Sequence, residues 1–187
     1  MPATISFVHL RQATQVIHDG GIIAYPTESV FGFGCDPDRY EAVLRILALK
    51  ERSVTDGLIL IAADRTQLEG WIAPSVDEET ALAGTDAFIT WVVTAAAGCP
   101  DWITGGRPTC AVRLTRHPVA AALCREAGLP IVSTSANRHD RPAAISALAV
   151  RRQFGQRVDF IMPGTTGGTA LPSEIRVART GTILRPG

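Results

Sequence analysis

Short apolar runs of strand length recur along the chain, and segments of helical period fall between some of them but not others. The runs I-I-A-Y-P (22–26), G-L-I-L-I-A (57–62), A-F-I-T-W-V-V (87–93), T-C-A-V-R-L (109–114) and L-P-I-V (129–132) are too short for helices and rich in β-branched residues. Further short strands are expected around Val158–Met162, Ile175–Val177 and Thr182–Leu184. Leu10, Ala13, Val16 and Ile17 have helical spacing, and Gly20-Gly21 supplies the stop. Asp36-Pro37 reads as the cap and first position of a second helix, with Tyr40, Val43, Leu44 and Leu47 on one face and an end near Lys50–Arg52. Asp77–Glu79 falls in a helix ending near Gly84, H-P-V-A-A-A-L-C-R-E-A-G in one ending at Gly128, and I-S-A-L-A-V-R-R-Q-F-G in another. The stretch T-E-S-V-F-G-F-G-C-D-P reads as turns. Strands mixed with helices, without strict alternation, constrain the fold class to α/β: a twisted mixed β-sheet flanked by helices. With no repeat, linker or low-complexity tract, residues 1–187 are expected to form a single domain.

Hydrophobic residues make up 46% of the chain and charged residues 19%, a composition that can bury a core and is not that of a disordered protein. The longest uncharged apolar-leaning run, 87–100, is too short and too broken by Thr to span a bilayer, and no secretory leader is read at the N-terminus. The cysteines at 35, 99, 110 and 124 form no C-x-x-C pair and have no His at zinc spacing. They are expected to be reduced, mostly buried thiols in a cytoplasmic protein without structural zinc. Charge is unevenly spread: residues 1–100 carry net −7 and residues 101–187 net +7. A basic second half suits a polyanion, although the two halves could equally neutralise each other; with no basic run longer than Arg151-Arg152, it favours a pocket over an RNA-coating tail.

The usual nucleotide and hydrolase signatures are absent: neither G-x-x-x-x-G-K-[ST], nor G-x-G-x-x-G opening a helix, nor G-x-S-x-G occurs. Polar clusters instead follow the expected strands and helices. They are Y-P-T-E-S-V-F-G-F-G, K-E-R, S-T-S-A-N, P-G-T-T-G-G and P-S-E-I-R. In open α/β sheets ligands bind beyond the carboxyl ends of strands, where such hydroxyls, amides and cations can hold phosphate or carboxylate groups. Each cluster alone also reads as a turn or cap. One residue is singular. Lys50 is the only lysine among eighteen basic residues, which suits a site that needs a compact ammonium rather than a planar guanidinium, and equally suits a solvated helix end.

Taken in order, these clusters resemble the YrdC/TsaC-like threonylcarbamoyl-AMP synthase family. The resemblance runs from Gly21 to Gly187 through Y-P-T-E-S-V-F-G-F-G-C-D-P (25–37), L-K-E-R (49–52), C-A-V-R-L-T-R-H-P (110–118), S-T-S-A-N (133–137), G-G-T-A-L-P-S-E-I-R (167–176) and L-R-P-G (184–187). It implies the short single-domain form, with its sheet and helices around a positively charged concave cavity. It also implies a nucleotidyltransferase that makes L-threonylcarbamoyladenylate and pyrophosphate from L-threonine, bicarbonate and ATP. Mg2+ would arrive with ATP, without a protein-bound metal. Partner proteins would pass the carbamoyl group to the adenosine beside the anticodon in tRNAs reading codons that begin with A.

The family's pattern assigns Lys50 and Arg52 to charge stabilisation on the triphosphate, with Thr109, Ser135, Asn137 and Arg185 around the nucleotide. It assigns Thr27, Arg113, Ser133 and Ser173 to threonine. Arg113 also reads as a structural ion pair, and Thr109 as a plain strand start. No general base is assigned to Glu28 or Asp36. Three departures stand out: Ser53 replaces the Pro that many relatives carry after K-x-R, T-D-A-F (85–88) replaces W-P-G-P, and Ile61 stands where some relatives have His. The first is expected to loosen the loop after Arg52. A non-catalytic RNA-binding module remains the alternative, with 6% aromatic residues and no RNP-like motif against it. A carbamoyl-phosphate-handling domain like the YrdC-type segment of larger maturation enzymes is a third reading, disfavoured because their other domains are missing.

Overall fold

The computed structural model describes residues 6–84, 88–138, 141–169 and 171–187. The strands β1 (Ile23–Pro26), β2 (Phe31–Gly34), β3 (Ile59–Ala62), β4 (Ile89–Thr94), β5 (Thr109–Leu114), β6 (Ile131–Ser135), β7 (Phe160–Ile161), β8 (Glu174–Val177) and β9 (Ile183–Arg185) form one sheet. Their order is β7-β1-β2-β6-β3-β5-β4-β8-β9. The pairs β1/β7, β3/β5 and β4/β8 are parallel and the others antiparallel, so the sheet is mixed, as the irregular spacing of strands and helices implies.

Alternation along each strand sorts side chains between the two faces. On one face Phe31, Phe33, Leu60, Val93, Cys110, Val112 and Val132 pack with residues from α2 (Tyr40–Lys50), α3 (Val76–Ala83), α4 (Asp101–Thr104) and α6 (Ala147–Phe154). On the other, Ile23, Tyr25, Ile61 and Ile131 pack under α1 (Phe7–His18) and α5 (Pro118–Ala127), which supply Leu10, Ala13, Ile17, Val119 and Leu123. These two helices cover the part of the face built by β7, β1, β6 and β3. Beyond them, the same alternation turns Thr109, Ala111 and Arg113 of β5 into a cleft, while Cys110 and Val112 stay in the core.

The sequence misleads in three places. F-G-F-G is a strand, not a turn: Phe31 and Phe33 enter the core, and the glycines leave space on the opposite face. A Cβ at Gly34 would lie 2.7 Å from both Tyr25 Cε1 and Ile131 Cγ2, so only hydrogen fits. The second helix begins at Tyr40 rather than beside Pro37; Asp36 instead closes a turn by accepting from the Asp38 amide at 2.9 Å. Its buried stripe is Ala42, Val43, Ile46, Leu47, Leu49 and Lys50, leaving Tyr40 and Leu44 exposed, because the helix is rotated to drive its C-terminal end inward. Elsewhere the expected elements form: β5 spans the residues read as a strand, and α5 ends at Gly128, which adopts a left-handed φ of 70°. The short α4 was not read, since four residues carry no usable period. Thr85, Asp86 and Ala87 of the T-D-A-F departure lie outside the described residues.

Glu51, immediately after α2, has φ 56° and ψ 41°, a left-handed conformation that is costly for a residue with a Cβ. It reverses the chain so that Lys50 turns into the protein and Arg52 into the cleft. Glu51→Val, with a branched Cβ in this conformation, should lower stability by about 1 kcal/mol, and Glu51→Gly should not. Urea denaturation of the three proteins checks this.

Candidate functional site

Two adjoining hollows open on the uncovered part of the sheet. The larger, about 600 Å³, has an apolar wall that includes Leu58, Val92, Ile103, Ile175, Val177 and Leu184, with Arg52, Arg107, Arg185 and Asp56 among its charged residues. The smaller, about 150 Å³, is lined by Thr27, Arg113, Ser133, Ser135 and Ser173, with Phe88 and Pro172 at one side. Arg52, Ile59, Ser133, Thr134 and Arg185 belong to both, so the two form one continuous cleft. Thr27 and Ser135 sit at carboxyl ends of strands, but Ile59 and Thr109 sit at the starts of theirs. The site therefore crosses the sheet face instead of lying beyond one carboxyl edge, because antiparallel pairs leave a mixed sheet without such an edge.

The smaller hollow is organised around Arg113. The residue is 7% exposed, and its guanidinium donates to Ser173 Oγ at 3.2 Å, lies 3.5 Å from Glu28 Oε2, and stands 4.8 Å from the centre of the Phe88 ring. Ser173 Oγ also pairs with Thr90 Oγ1 at 2.8 Å, and Arg185 donates to the Ser173 carbonyl at 2.7 Å. The other Glu28 oxygen accepts from Thr115 Oγ1 at 2.7 Å and from the Arg116 and His117 amides, both at 3.3 Å. Burial acts to raise the Glu28 carboxyl, but Arg113, Thr115 and the backbone amides of Glu28 and His117 more than offset it and hold it below its ordinary value. Thr27 is held at the mouth by donating its hydroxyl to the Val30 carbonyl at 2.7 Å.

Four buried polar atoms among the described residues have no protein hydrogen-bond partner: Tyr25 Oη, Glu28 Oε2, Arg113 Nε and His117 Nδ1. All belong to this cluster, with the Tyr25 hydroxyl beside Ser133 without a formed bond. Such atoms are costly when left unmatched, and of the four residues Arg113 lines the smaller hollow, so its free Nε marks a place there for a polar ligand.

Lys50 is placed differently. It is 4% exposed and lines neither hollow. Its ammonium donates to the Ser135 carbonyl at 2.6 Å, Asn137 Oδ1 at 2.8 Å, the Asn137 carbonyl at 3.3 Å and Ser135 Oγ at 3.4 Å. Ser135 Oγ donates to Asn137 Oδ1 at 2.6 Å, and Asn137 Nδ2 reaches the Arg138 and Arg141 carbonyls, so K-x-R and S-x-N form one knot at the cleft wall. Burial, and then the neighbouring Arg52 charge, push the Lys50 ammonium down to about 8. Arg52 bonds Asp56 Oδ2 at 3.2 Å and the Gly57 carbonyl at 3.3 Å. Ser53 caps the turn that follows by accepting from the Thr55 amide, which supplies local order in place of a proline ring.

Thus Thr27, Arg52, Arg113, Ser133, Ser135, Ser173 and Arg185 gather at the smaller hollow and Thr109 at the larger, with Lys50 and Asn137 behind the wall. Ile61 is fully buried and lines neither. Residues the sequence reading left without a role are Glu28, Thr90, Phe88 and Arg107. Glu28 was at least visible, since P-T-E stands inside a quoted motif. Arg107 donates to the Thr55 and Asp56 carbonyls, which fixes the rim of the larger hollow.

Removing the Glu28 carboxylate leaves a buried guanidinium unpaired. Glu28→Ala should cost about 3 kcal/mol of stability, read by urea denaturation at neutral pH. The sign with pH follows from the depressed carboxyl. The contribution is complete above the ordinary carboxylate range and is lost as pH falls through the lower native value, so the gap between wild type and variant should close in acid.

The comparisons converge on one family. A model for Sua5, YciO and YrdC, described as "Telomere recombination", matches residues 15–187. The threonylcarbamoyl-AMP synthase of Nitrosococcus oceani is 51% identical over 178 residues, covering 94% of this chain and 96% of its own. That of Escherichia coli K12 is 46% identical over 182 residues, covering 95% of each. Sua5 of P. abyssi, complexed with L-threonine, superposes with a TM-score of 0.86 at 30% identity over 94% of this chain, which spans 52% of that protein. E. coli YciO shares the fold, with a TM-score of 0.85 at 21% identity, 98% of this chain and 91% of that one being covered. On the match of residues 15–187 and the identity to these synthases, the chain belongs to the Sua5/YciO/YrdC family.

Proposed function

We propose that this protein is a threonylcarbamoyl-AMP synthase, joining L-threonine, bicarbonate and ATP into L-threonylcarbamoyladenylate with release of pyrophosphate. The observation that carries this reading is the cleft itself. A small hollow lined by hydroxyls and by Arg113, whose buried Nε is unmatched, opens directly into a larger one of nucleotide size, and Arg52 and Arg185 stand at the junction. The close relatives named for this activity support it over the RNA-binding alternative.

Arg113 would take the threonine carboxylate, with Thr27, Ser133 and Ser173 hydroxyls for its amino and side-chain groups. The nucleobase would rest on the apolar wall of the larger hollow, near Thr109, and Arg52 and Arg185 would face the phosphates. Threonine nitrogen and the bicarbonate carbon form a carbamate, with loss of water and a proton. A carbamate oxygen then bonds to the α-phosphorus while the α–β bridging bond breaks and pyrophosphate leaves with its electrons. No protein nucleophile is required. The contribution of the chain is to align the two substrates and offset negative charge that moves toward the leaving group. Lys50, with Ser135 and Asn137, would join Arg52 in that role.

ATP would enter as its magnesium complex, the ion bridging phosphate oxygens. Magnesium is then part of the substrate, and the cleft carboxylate Asp56 is engaged with Arg52. The product is an activated carbamoyl donor. It would pass, through the transfer proteins of the same pathway, to the adenosine beside the anticodon of tRNAs reading codons that begin with A. That work belongs in the cytoplasm. No helix among the described residues is long and apolar enough to cross a membrane.

Pyrophosphate release with MgATP should need both L-threonine and bicarbonate, and omission of either should abolish it. Release that ignores bicarbonate would overturn the synthase reading in favour of plain amino-acid adenylation. Lys50→Ala should lower kcat by about 100-fold or more. The free enzyme carries the Lys50 charge below about pH 8 and loses it above, so kcat/KM for ATP should fall as pH rises through that value. In Lys50→Arg this decline should disappear, because guanidinium stays charged.

A further inference from the structure

The smaller hollow is walled on one side by a single aromatic ring. Phe88 lines this hollow of about 150 Å³ and also a second, outer hollow of about 390 Å³, bounded by Ile89, Thr169, Leu171, Glu174 and Arg176. Only Phe88 and Pro172 are common to the two. Phe88 and Pro172 therefore form the partition between them, and Phe88 supplies its aromatic part. It also stands 4.8 Å from the Arg113 guanidinium, the charge around which the smaller hollow is built.

Size makes this partition consequential. Taking a water as about 30 Å³ of liquid, the smaller hollow holds roughly five waters' worth of volume, enough for a small β-hydroxy amino acid. Behind the ring the wall is largely apolar, through Ile89, Leu171 and Pro172, together with the charged Glu174 and Arg176. A larger apolar group on the β-carbon, directed at this side of the hollow, would meet the Phe88 ring, yet would have space and compatible surroundings behind it.

We propose that Phe88 is the residue that sets the size limit of the amino-acid hollow, admitting threonine and excluding β-hydroxy amino acids with bulkier β-substituents. This rests on the synthase reading for the identity of the substrate. Deleting the ring would open the smaller hollow into the outer one beside Pro172 and leave a space of phenyl size there for a β-substituent. L-threo-3-phenylserine keeps the carboxylate, amine and hydroxyl of threonine and places a phenyl on the β-carbon, so it is matched to that space.

The test measures both binding and turnover for wild type, Phe88→Leu and Phe88→Ala, with L-threonine and L-threo-3-phenylserine. Binding is followed by titration calorimetry in the presence of MgATP, and turnover by pyrophosphate release with bicarbonate. The expected result is that wild type strongly prefers threonine. The ratio of phenylserine to threonine, in affinity and in kcat/KM, should rise at least about tenfold in Phe88→Ala, with Phe88→Leu between the two. If Phe88→Ala weakens threonine binding without raising that ratio, the ring only shields Arg113 and the proposal is overturned. If Phe88→Ala does not fold, the leucine variant decides by the same ratio. If wild type binds threonine but releases no pyrophosphate, the synthase reading fails, and the size limit is still judged from the binding ratio.

Discussion

A buried charge has to be answered, and Arg113 is the charge on which this cleft depends. Placing a guanidinium inside the protein is costly without a partner and further hydrogen bonds. Glu28 supplies the partner from the loop after β1. To hold that carboxylate, the chain after β5 turns Thr115 and the Arg116 and His117 amides toward it. His117 in turn meets the Thr165 carbonyl at 3.1 Å, and the Gly167 and Thr169 amides donate to Thr27 and Glu28 carbonyls. A Cβ on Gly167 would come within 2.9 Å of the Glu28 carbonyl, so this close approach of two backbones needs glycine. From the other side Ser173 reaches Arg113 while fixed by Thr90 and Arg185. Segments distant in the chain are thus drawn into one place by a single ion pair.

That dependence explains what could be read from the sequence. The strands β3 and β5 were legible because their apolar runs are dense and β-branched. The strand F-G-F-G was not, since its alternation is between phenylalanine and nothing, and two glycines in four residues look like a turn. The interior stripe of α2 was misjudged because Tyr40 is as apolar in pattern as any core residue, yet it packs at the surface on Trp102, with ring centres 5.0 Å apart. Local pattern cannot tell those two fates apart; the neighbouring helix decides.

The site divides in the same way. Lys50, Arg52, Ser135 and Asn137 were legible as motifs, each compact in sequence, although nothing local says that lysine and asparagine bond to each other. Glu28 and Thr115 are 87 positions apart, and their meeting follows from strand order alone. Phe88 carried no signal, because one aromatic residue at the start of an apolar run reads as core. What the sequence conveys well is which chemical groups are present; their pairing is a property of the topology β6-β3-β5-β4, which brings S-T-S-A-N, the K-x-R loop and T-C-A-V-R together.

The knot around Lys50 has a thermodynamic corollary. Its ammonium already has oxygen ligands, so any phosphate that recruits it must first displace neutral ones that are internal to the protein. Binding is then an exchange rather than a capture, and its net gain grows with the negative charge of the incomer. A monoanion offers little more than the carbonyl it replaces, whereas a polyphosphate offers several formal charges at once. The resting protein would in this way behave as a threshold device, indifferent to the abundant small anions around it and responsive to a densely charged chain.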